Sequence, residues 1–300
     1  MLNKFSNLSS FYNTSKRFFG KNEKAIKMRI KSVSSIEKIT KAMKMVSASK
    51  MRHDLVRLEG GKEFAYGSIE KMFKSDTWLT KKMQGVSTNG KVCIVPITSD
   101  RGLCGAINSG IIREIKYKIN HSQNRNQYNI VTIGEKGTSA LIRQFPDLLK
   151  MSISEVATPL NYSTVSAIAT RISSQSNGCD KIVVYFNEFK SAIKTVIREL
   201  ELFSRDKFLE ITKSLKLYNQ EYPDKWTANP ALYELYISSN LYHAYLNNIA
   251  SEQSSRMTAM ENASKNAKEL VEKLKLEYNK ARQARITMEL VEIISGAAAV

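Results

Sequence analysis

ALYELYISSNLYHAYLNNIASEQSSRMTAMENASKNAKELVEKLKLEYNKARQARITMELVEIIS, residues 231–295, decides the fold of this 300-residue chain. The stretch holds neither proline nor glycine. Steps of three and four trace Leu246, Ile249, Gln253, Arg256, Met260, Ala263, Ala267, Leu270, Leu274, Glu277, Ala281, Ala284, Met288 and Val291. Eleven of these fourteen positions are apolar, which predicts one helix with heptad character sustained over many turns. At 1.5 Å per residue such a helix spans roughly 95 Å. No small globular domain needs a helix of that length.

The other end of the chain reads in the same way. From Lys24 to Leu58 there is no proline or glycine, and apolar residues recur at Ile26, Ile30, Val33, Ile36, Ile39, Met43 and Val46. This is a long amphipathic helix with a narrow apolar stripe. Neither end has a core of its own, so the two are expected to pack as an antiparallel coiled coil with the middle of the chain inserted at one end. Small residues such as Ala263, Ala267, Ala281 and Ala284 would let the backbones approach closely. Gly60 and Gly61 each cost about 1 kcal/mol in a helix and mark a candidate bend or break.

The middle changes period. Lys91–Thr98 reads as a buried strand, followed by a glycine-containing turn and a helix over about 106–118. A strand at 128–133, helices near 135–145 and 163–174, and strands at 181–189 and 192–202 follow. Strands alternating with helices predict a small, mostly parallel α/β domain of Rossmann-like type, closed by an antiparallel pair joined near Lys190. Residues 203–229, with Pro223 and Trp226, read as irregular return structure. The expected organisation is a leader over 1–22, an N-terminal coiled-coil helix over 23–80, the α/β domain over 81–225 and a C-terminal coiled-coil helix over 226–300.

Composition narrows the function. With 46 Lys and Arg against 28 Asp and Glu the formal charge is +18, so an acidic partner is favoured: nucleic acid, anionic lipid or an acidic protein surface. Ten Lys or Arg but only Glu37 and Asp54 lie between Lys24 and Leu58. No apolar run approaches the roughly 20 residues that a membrane-spanning helix needs. Cys93, Cys104 and Cys179 show neither close pairing nor metal-ligand spacing, as suits a reducing compartment. Residues 1–22 carry Lys4, Lys16, Arg17 and Lys21, several serines and no acid before Glu23, the composition of a mitochondrial transit peptide.

A search for chemistry finds none assembled. Ser99-Asp-Arg-Gly-Leu-Cys-Gly-Ala-Ile-Asn108 and Gly134-Glu-Lys-Gly137 follow strands, yet match neither phosphate-binding pattern and bring no phosphate-gripping lysine. His53, His121 and His243 lie on dissimilar segments with no ligand spacing. Cys104 reads as a small buried turn residue, and Asp100 and Arg101 as a loop ion pair. No catalytic, metal or cofactor-binding residue is assigned. The charge-free end after Glu292, Ile-Ile-Ser-Gly-Ala-Ala-Ala-Val, is an apolar tip that must dock into something.

Lys38-Ile-Thr-Lys-Ala-Met-Lys-Met-Val-Ser-Ala-Ser-Lys-Met51, Thr98-Ser-Asp-Arg-Gly-Leu-Cys-Gly-Ala-Ile-Asn108 and the tail from Tyr278 to Val300 resemble the gamma subunits of rotary ATP synthases. The likeness extends from about Glu23 to Val300. It implies a non-catalytic rod inside a ring of three alpha and three beta subunits, its α/β domain outside the ring beside the delta and epsilon central-stalk subunits and the membrane c-ring, on the matrix side of the mitochondrial inner membrane. Rotation of such a rod couples proton flow to ATP synthesis. By motif position the resemblance implies that Met43 faces an acidic beta loop. It also implies that Arg282, Gln283, Thr287 and Glu289 belong to the region that beta catches. Ile293, Ile294, Ala297, Ala298, Ala299 and Val300 would turn in an apolar bearing. Plastid members carry an inserted regulatory cysteine pair; none is visible here. The alternative from charge alone is a basic coiled-coil nucleic-acid-binding protein, although its lysines lack interleaved stacking aromatics.

Overall fold

The computed structural model describes residues 3–62, 64, 90–156, 158–213 and 225–298, with side chains described from Glu23 onward except at 211–213 and 225–229. In chain order the elements are α1 (Asn3–Lys62), β1 (Val92–Pro96), α2 (Ile107–Asn120), β2 (Tyr128–Ile133), α3 (Glu135–Ile142), β3 (Leu149–Ile153), α4 (Tyr162–Gln175), β4 (Lys181–Phe189), β5 (Thr195–Phe203), α5 (Arg205–Lys213) and α6 (Lys225–Ala297), with a short 3₁₀ turn at Arg125–Gln127. The chain divides into two compact units, Met1–Met45 with Met260–Val300, and Val46–Ala259.

In the first unit α1 and α6 run antiparallel. Lys44 meets Glu261 at 3.2 Å, whereas Glu23, earlier on α1, meets Arg285, later on α6, at 2.8 Å. Burial along α6 alternates by four and three through Met260, Ser264, Ala267, Val271, Leu274, Tyr278, Ala281, Arg285, Met288 and Glu292, every one buried or half-buried. Along α1 the same rhythm runs through Ile26, Ile30, Val33, Glu37, Thr40 and Lys44.

The expected seam therefore had the right period and the wrong partners at alternate positions. Ala263, Leu270, Glu277, Ala284 and Val291 each stand one residue before the true seam position, and Leu270 is 38% exposed against 4% for Leu274. On α1 the stripe splits after Val33: Ile36, Ile39 and Val46 point outward, with Ile39 58% exposed, while Thr40 is buried. Thr40 is tolerated there because its hydroxyl donates to Ile36 O and Glu37 O at 3.0 Å, so no polar atom is stranded.

The second unit carries a five-stranded sheet in the order β3-β2-β1-β4-β5. Neighbours among the first four are parallel, and β5 runs antiparallel to β4. The 3-2-1-4 order is that of a Rossmann-like half. Period-two alternation divides each strand between two cores. Val92, Ile94, Ile130, Val183 and Tyr185 pack with Ile111, Ile115 and Ile119 of α2 and Leu141 of α3. Cys93, Val95, Ile97, Val131, Val184 and Phe186 pack with α4, with Leu58 of α1, and with Tyr233, Ile237, Leu241 and Leu246 of α6.

Three expectations change. The strand β3 was missed, although Leu149, Met151 and Ile153 alternate as an edge strand should. Helix α5 replaces the start of the supposed irregular return. Ser204 accepts Lys207 N–H at its head, and buried Phe208 stacks on Tyr236 at 5.3 Å; the stretch around Pro223 lies outside the described residues. Gly60 and Gly61 do not break α1. Gly61 is buried, and a Cβ there would fall on Leu246 Cδ1 and 3.3 Å from Tyr242 Cε1, so the glycine permits close backbone approach. On α6, helix begins five residues before Pro230; the ring removes one hydrogen bond near the helix start.

Burial raises the thiols of Cys93 and Cys179 above the ordinary cysteine value. Iodoacetamide at pH 8 is therefore expected to label neither in the native protein and both once denaturant is added, as followed by mass spectrometry. Rapid native labelling of either would contradict this packing.

Candidate functional site

The outward face of the two-helix unit is where the family-implied contact residues stand. Arg282, Gln283 and Thr287 are exposed on α6, and the Thr287 hydroxyl donates to Gln283 O at 3.0 Å. Glu289 is not free: its carboxylate meets Arg285 at 2.9 Å, and the same guanidinium holds Glu23 at 2.8 Å. The neighbouring carboxylates, Glu23 first, strengthen the charged form of Arg285. Arg285 was absent from the sequence-read set, yet it ties the helices together at this level. Its signal was the four-three spacing from Ala281 and Met288, hidden because an arginine was not read as a seam residue; its long stem lets it be one.

Met43 does not join this group. It is half-buried on α1, 20 residues after Glu23, and so about 30 Å along the helix from the Arg285 level. The next residue, Lys44, pairs with Glu261 at 3.2 Å, and Ile36 and Ile39 are exposed earlier on the same helix. At the other end Ile293, Ile294, Ala297 and Ala298 are exposed; Ala299 and Val300 lie outside the described residues. Between the two levels, small Ala25 and Ala281 open a groove of about 470 Å³ with Ile26, Arg29, Leu274, Glu277 and Lys280 on its walls. This groove was not foreseen.

The glycine-rich loop of the second unit is built for internal order. Thr98 Oγ1 donates to Ile133 O at 2.9 Å and accepts Gly137 N–H at 3.0 Å. Asn108 accepts Ser99 N–H at 3.0 Å and donates to Ser99 Oγ at 2.7 Å. Cys104 is buried against the Asn108 amide at 3.2 Å, as read. Asp100 does not pair with Arg101. It accepts Glu135 N–H at 3.0 Å, capping the exposed donors at the start of α3, where a carboxylate is favoured. Arg256 and Gln253, two of the three polar exceptions in the helical pattern, find their reason here: Arg256 pairs with Glu252 at 2.6 Å, reaches Gly102 O at 3.4 Å and donates to Gln253 Oε1 at 3.3 Å. Burial raises the Glu252 carboxyl above its usual range, against the lowering effect of Arg256.

Among the described residues no three His, Cys, Asp or Glu side chains converge as metal ligands, and no helix is long and apolar enough to cross a membrane. One unit built of an antiparallel pair of long helices and a second built on a 3-2-1-4 sheet define a coiled-coil protein with an inserted α/β domain.

Residues 22–300 match the family profile described as ATP synthase. The ATP synthase gamma chain of Rickettsia canadensis is 36% identical over 93% of this chain and 99% of its own length. The mitochondrial F(1) complex subunit gamma of Rattus norvegicus is 36% identical over 92% and 98%. Among solved structures, a chain of the Tetrahymena thermophila mitochondrial ATP synthase central stalk and c-ring matches at 45% identity and TM-score 0.68, covering 75% of this chain and 99% of that one. A chain of the Euglena gracilis mitochondrial enzyme shares the fold at TM-score 0.78 and 21% identity. The chain belongs to the ATP synthase gamma-chain family. These matches lend nothing to the nucleic-acid-binding alternative.

Proposed function

We propose that this chain is the rotating central stalk of a mitochondrial ATP synthase and contributes no catalytic residue. The observation that carries the reading is the two-helix unit itself: it buries one thin seam and leaves Ile36, Ile39, Leu290, Val291, Ile293 and Ile294 exposed on a strongly basic chain. A lone protein gains nothing from such a surface, whereas an encircling ring of alpha and beta subunits would cover it. The α/β domain would then stand outside the ring, with delta and epsilon subunits and the c-ring as neighbours on the matrix side of the inner membrane. The profile match beginning at residue 22 supports reading 1–22 as a removable transit peptide, although the helical backbone of α1 continues through that point.

In this reading Met43 and the stripe beside it form one contact level with beta. Arg282, Gln283 and Thr287 form a second, some 30 Å away by helical rise, with Glu289 holding Arg285 in place. The tip at Ile293, Ile294, Ala297 and Ala298, continuing to Ala299 and Val300, turns in an apolar bearing, where strong ion pairs would create angular traps of a few kcal/mol.

The test is purification of the native complex through a tag on the α/β domain. One copy of this chain with three alpha and three beta subunits and ATPase activity supports the reading; a lone chain, or several copies per particle, overturns it. In the same complex, the double substitution Arg282→Ala with Gln283→Ala is expected to lower ATP synthesis about tenfold, the factor that one lost charge-assisted hydrogen bond allows. Unchanged synthesis would remove both from the contact set.

A further inference from the structure

Three serines on one face of α6, in the part of the helix that belongs to the second unit, bond to three other segments of that unit. Ser251 Oγ donates to Asn187 O at 2.9 Å, near the end of β4. Ser254 Oγ donates to Ala192 O at 2.6 Å, in the turn between β4 and β5. Ser255 Oγ donates to Cys104 O at 2.6 Å, in the loop after β1. One turn earlier, Asn248 Oδ1 accepts both Asn187 N at 3.1 Å and Asn187 Nδ2 at 3.0 Å. A helical serine commonly bonds back to its own preceding turn, as Ser238 does to Glu234 on this same helix; these three reach outward instead. Spacing of three and four residues puts them on one face.

We propose that Ser251, Ser254 and Ser255 form a rotational lock, positioning residues that fix the angle of this stretch of α6 about its own axis against the sheet, so that sheet and helix turn together. The proposal rests on the rotor reading above. The hydrophobic effect is non-directional, whereas a hydrogen bond loses its strength steeply with misalignment. Three bonds to rigid backbone carbonyls on separate segments therefore specify one angular setting. Ser255 acts at a further point of tension: the adjoining Leu103 is exposed and sits at φ 64, a conformation bulky side chains rarely adopt. A bond to the next carbonyl helps to hold that turn in place.

The test uses the whole purified complex in lipid vesicles, comparing the natural chain with Ser251→Ala/Ser254→Ala/Ser255→Ala, with the single Ser254→Ala, and with the same three serines changed to threonine. Losing these bonds is expected to leave ATP hydrolysis within about twofold while proton pumping per ATP falls at least about threefold, and to speed amide exchange at 102–105 and 187–193 by about tenfold. Ser254→Ala should fall between, and threonine, which keeps the hydroxyl, should restore the pumping ratio. A pumping ratio unchanged in an assembled alanine complex overturns the lock, as does a parallel loss of hydrolysis and pumping with shed subunits, which is what a merely structural role would give. If the natural chain yields no ATPase complex at all, the rotor reading falls, and the lock with it.

Discussion

Leu274→Ala is expected to destabilise the two-helix unit by about 2–5 kcal/mol, the range for truncating a buried leucine. Leu270→Ala, one turn earlier on the same helix, should cost under about 1 kcal/mol, as substitutions away from the core usually do. The two changes delete the same atoms and alter helix propensity equally, so their difference isolates packing. Leu274 is 4% exposed in the seam and Leu270 38% exposed beside it. Amide exchange across residues 23–45 and 260–298, or urea unfolding of the full chain followed by circular dichroism, would measure both. Equal costs would return the seam to the phase that apolar spacing alone suggests. The same contrast bears on function, because Leu270 and its outward neighbours are the surface a surrounding ring would cover.

The ends of the chain were legible because a four-three period over many turns has no other stable explanation. The phase was not, and the reason lies in particular residues. Thr40, Ser264, Tyr278, Arg285 and Glu292 occupy true seam positions while Ile36, Ile39 and Val291 do not, an inversion that apolar counting reads backwards. A shaft that must sit inside other subunits needs apolar residues on its outside, and this need is invisible when only one chain is considered. The central parallel strands were plain, since 92–96 and 182–186 are buried on both faces and read as continuous apolar runs. Edge strand β3 was hidden by its polar alternate residues. The contact residues came from family motifs, and those motifs could not reveal that Met43 and Arg282 stand at different levels, which follows only from the antiparallel register. The Ser251, Ser254 and Ser255 contacts had no sequence signal, because serine spacing on a helix says nothing about which carbonyls lie opposite.

Gly134→Ala is expected to cost upwards of about 3 kcal/mol, through backbone strain and collision together. Gly134 links β2 to α3 at φ 96 and ψ 138, a region open to glycine and strained for any residue with a Cβ. A methyl group there would strike the backbone carbonyl of Thr98 and stand 2.7 Å from Thr98 Oγ1. Neither atom can step aside cheaply. Thr98 N–H is bonded to Ile133 O at 2.8 Å, and its hydroxyl serves Ile133 O and Gly137 N–H. Displacing Thr98 would also move Ser99 and Asp100, and Asp100 caps α3 through Glu135 N–H. The damage should therefore spread from one turn to the whole loop that Ser255 grips. Gly178→Ala offers the control: Gly178 also has positive φ, at 76, but a Cβ there meets nothing within 4 Å, so only the strain of roughly 1–2 kcal/mol remains. Thermal unfolding of the two variants should separate them by several degrees. If they melt together, the close approach at Thr98 is not what demands glycine at position 134.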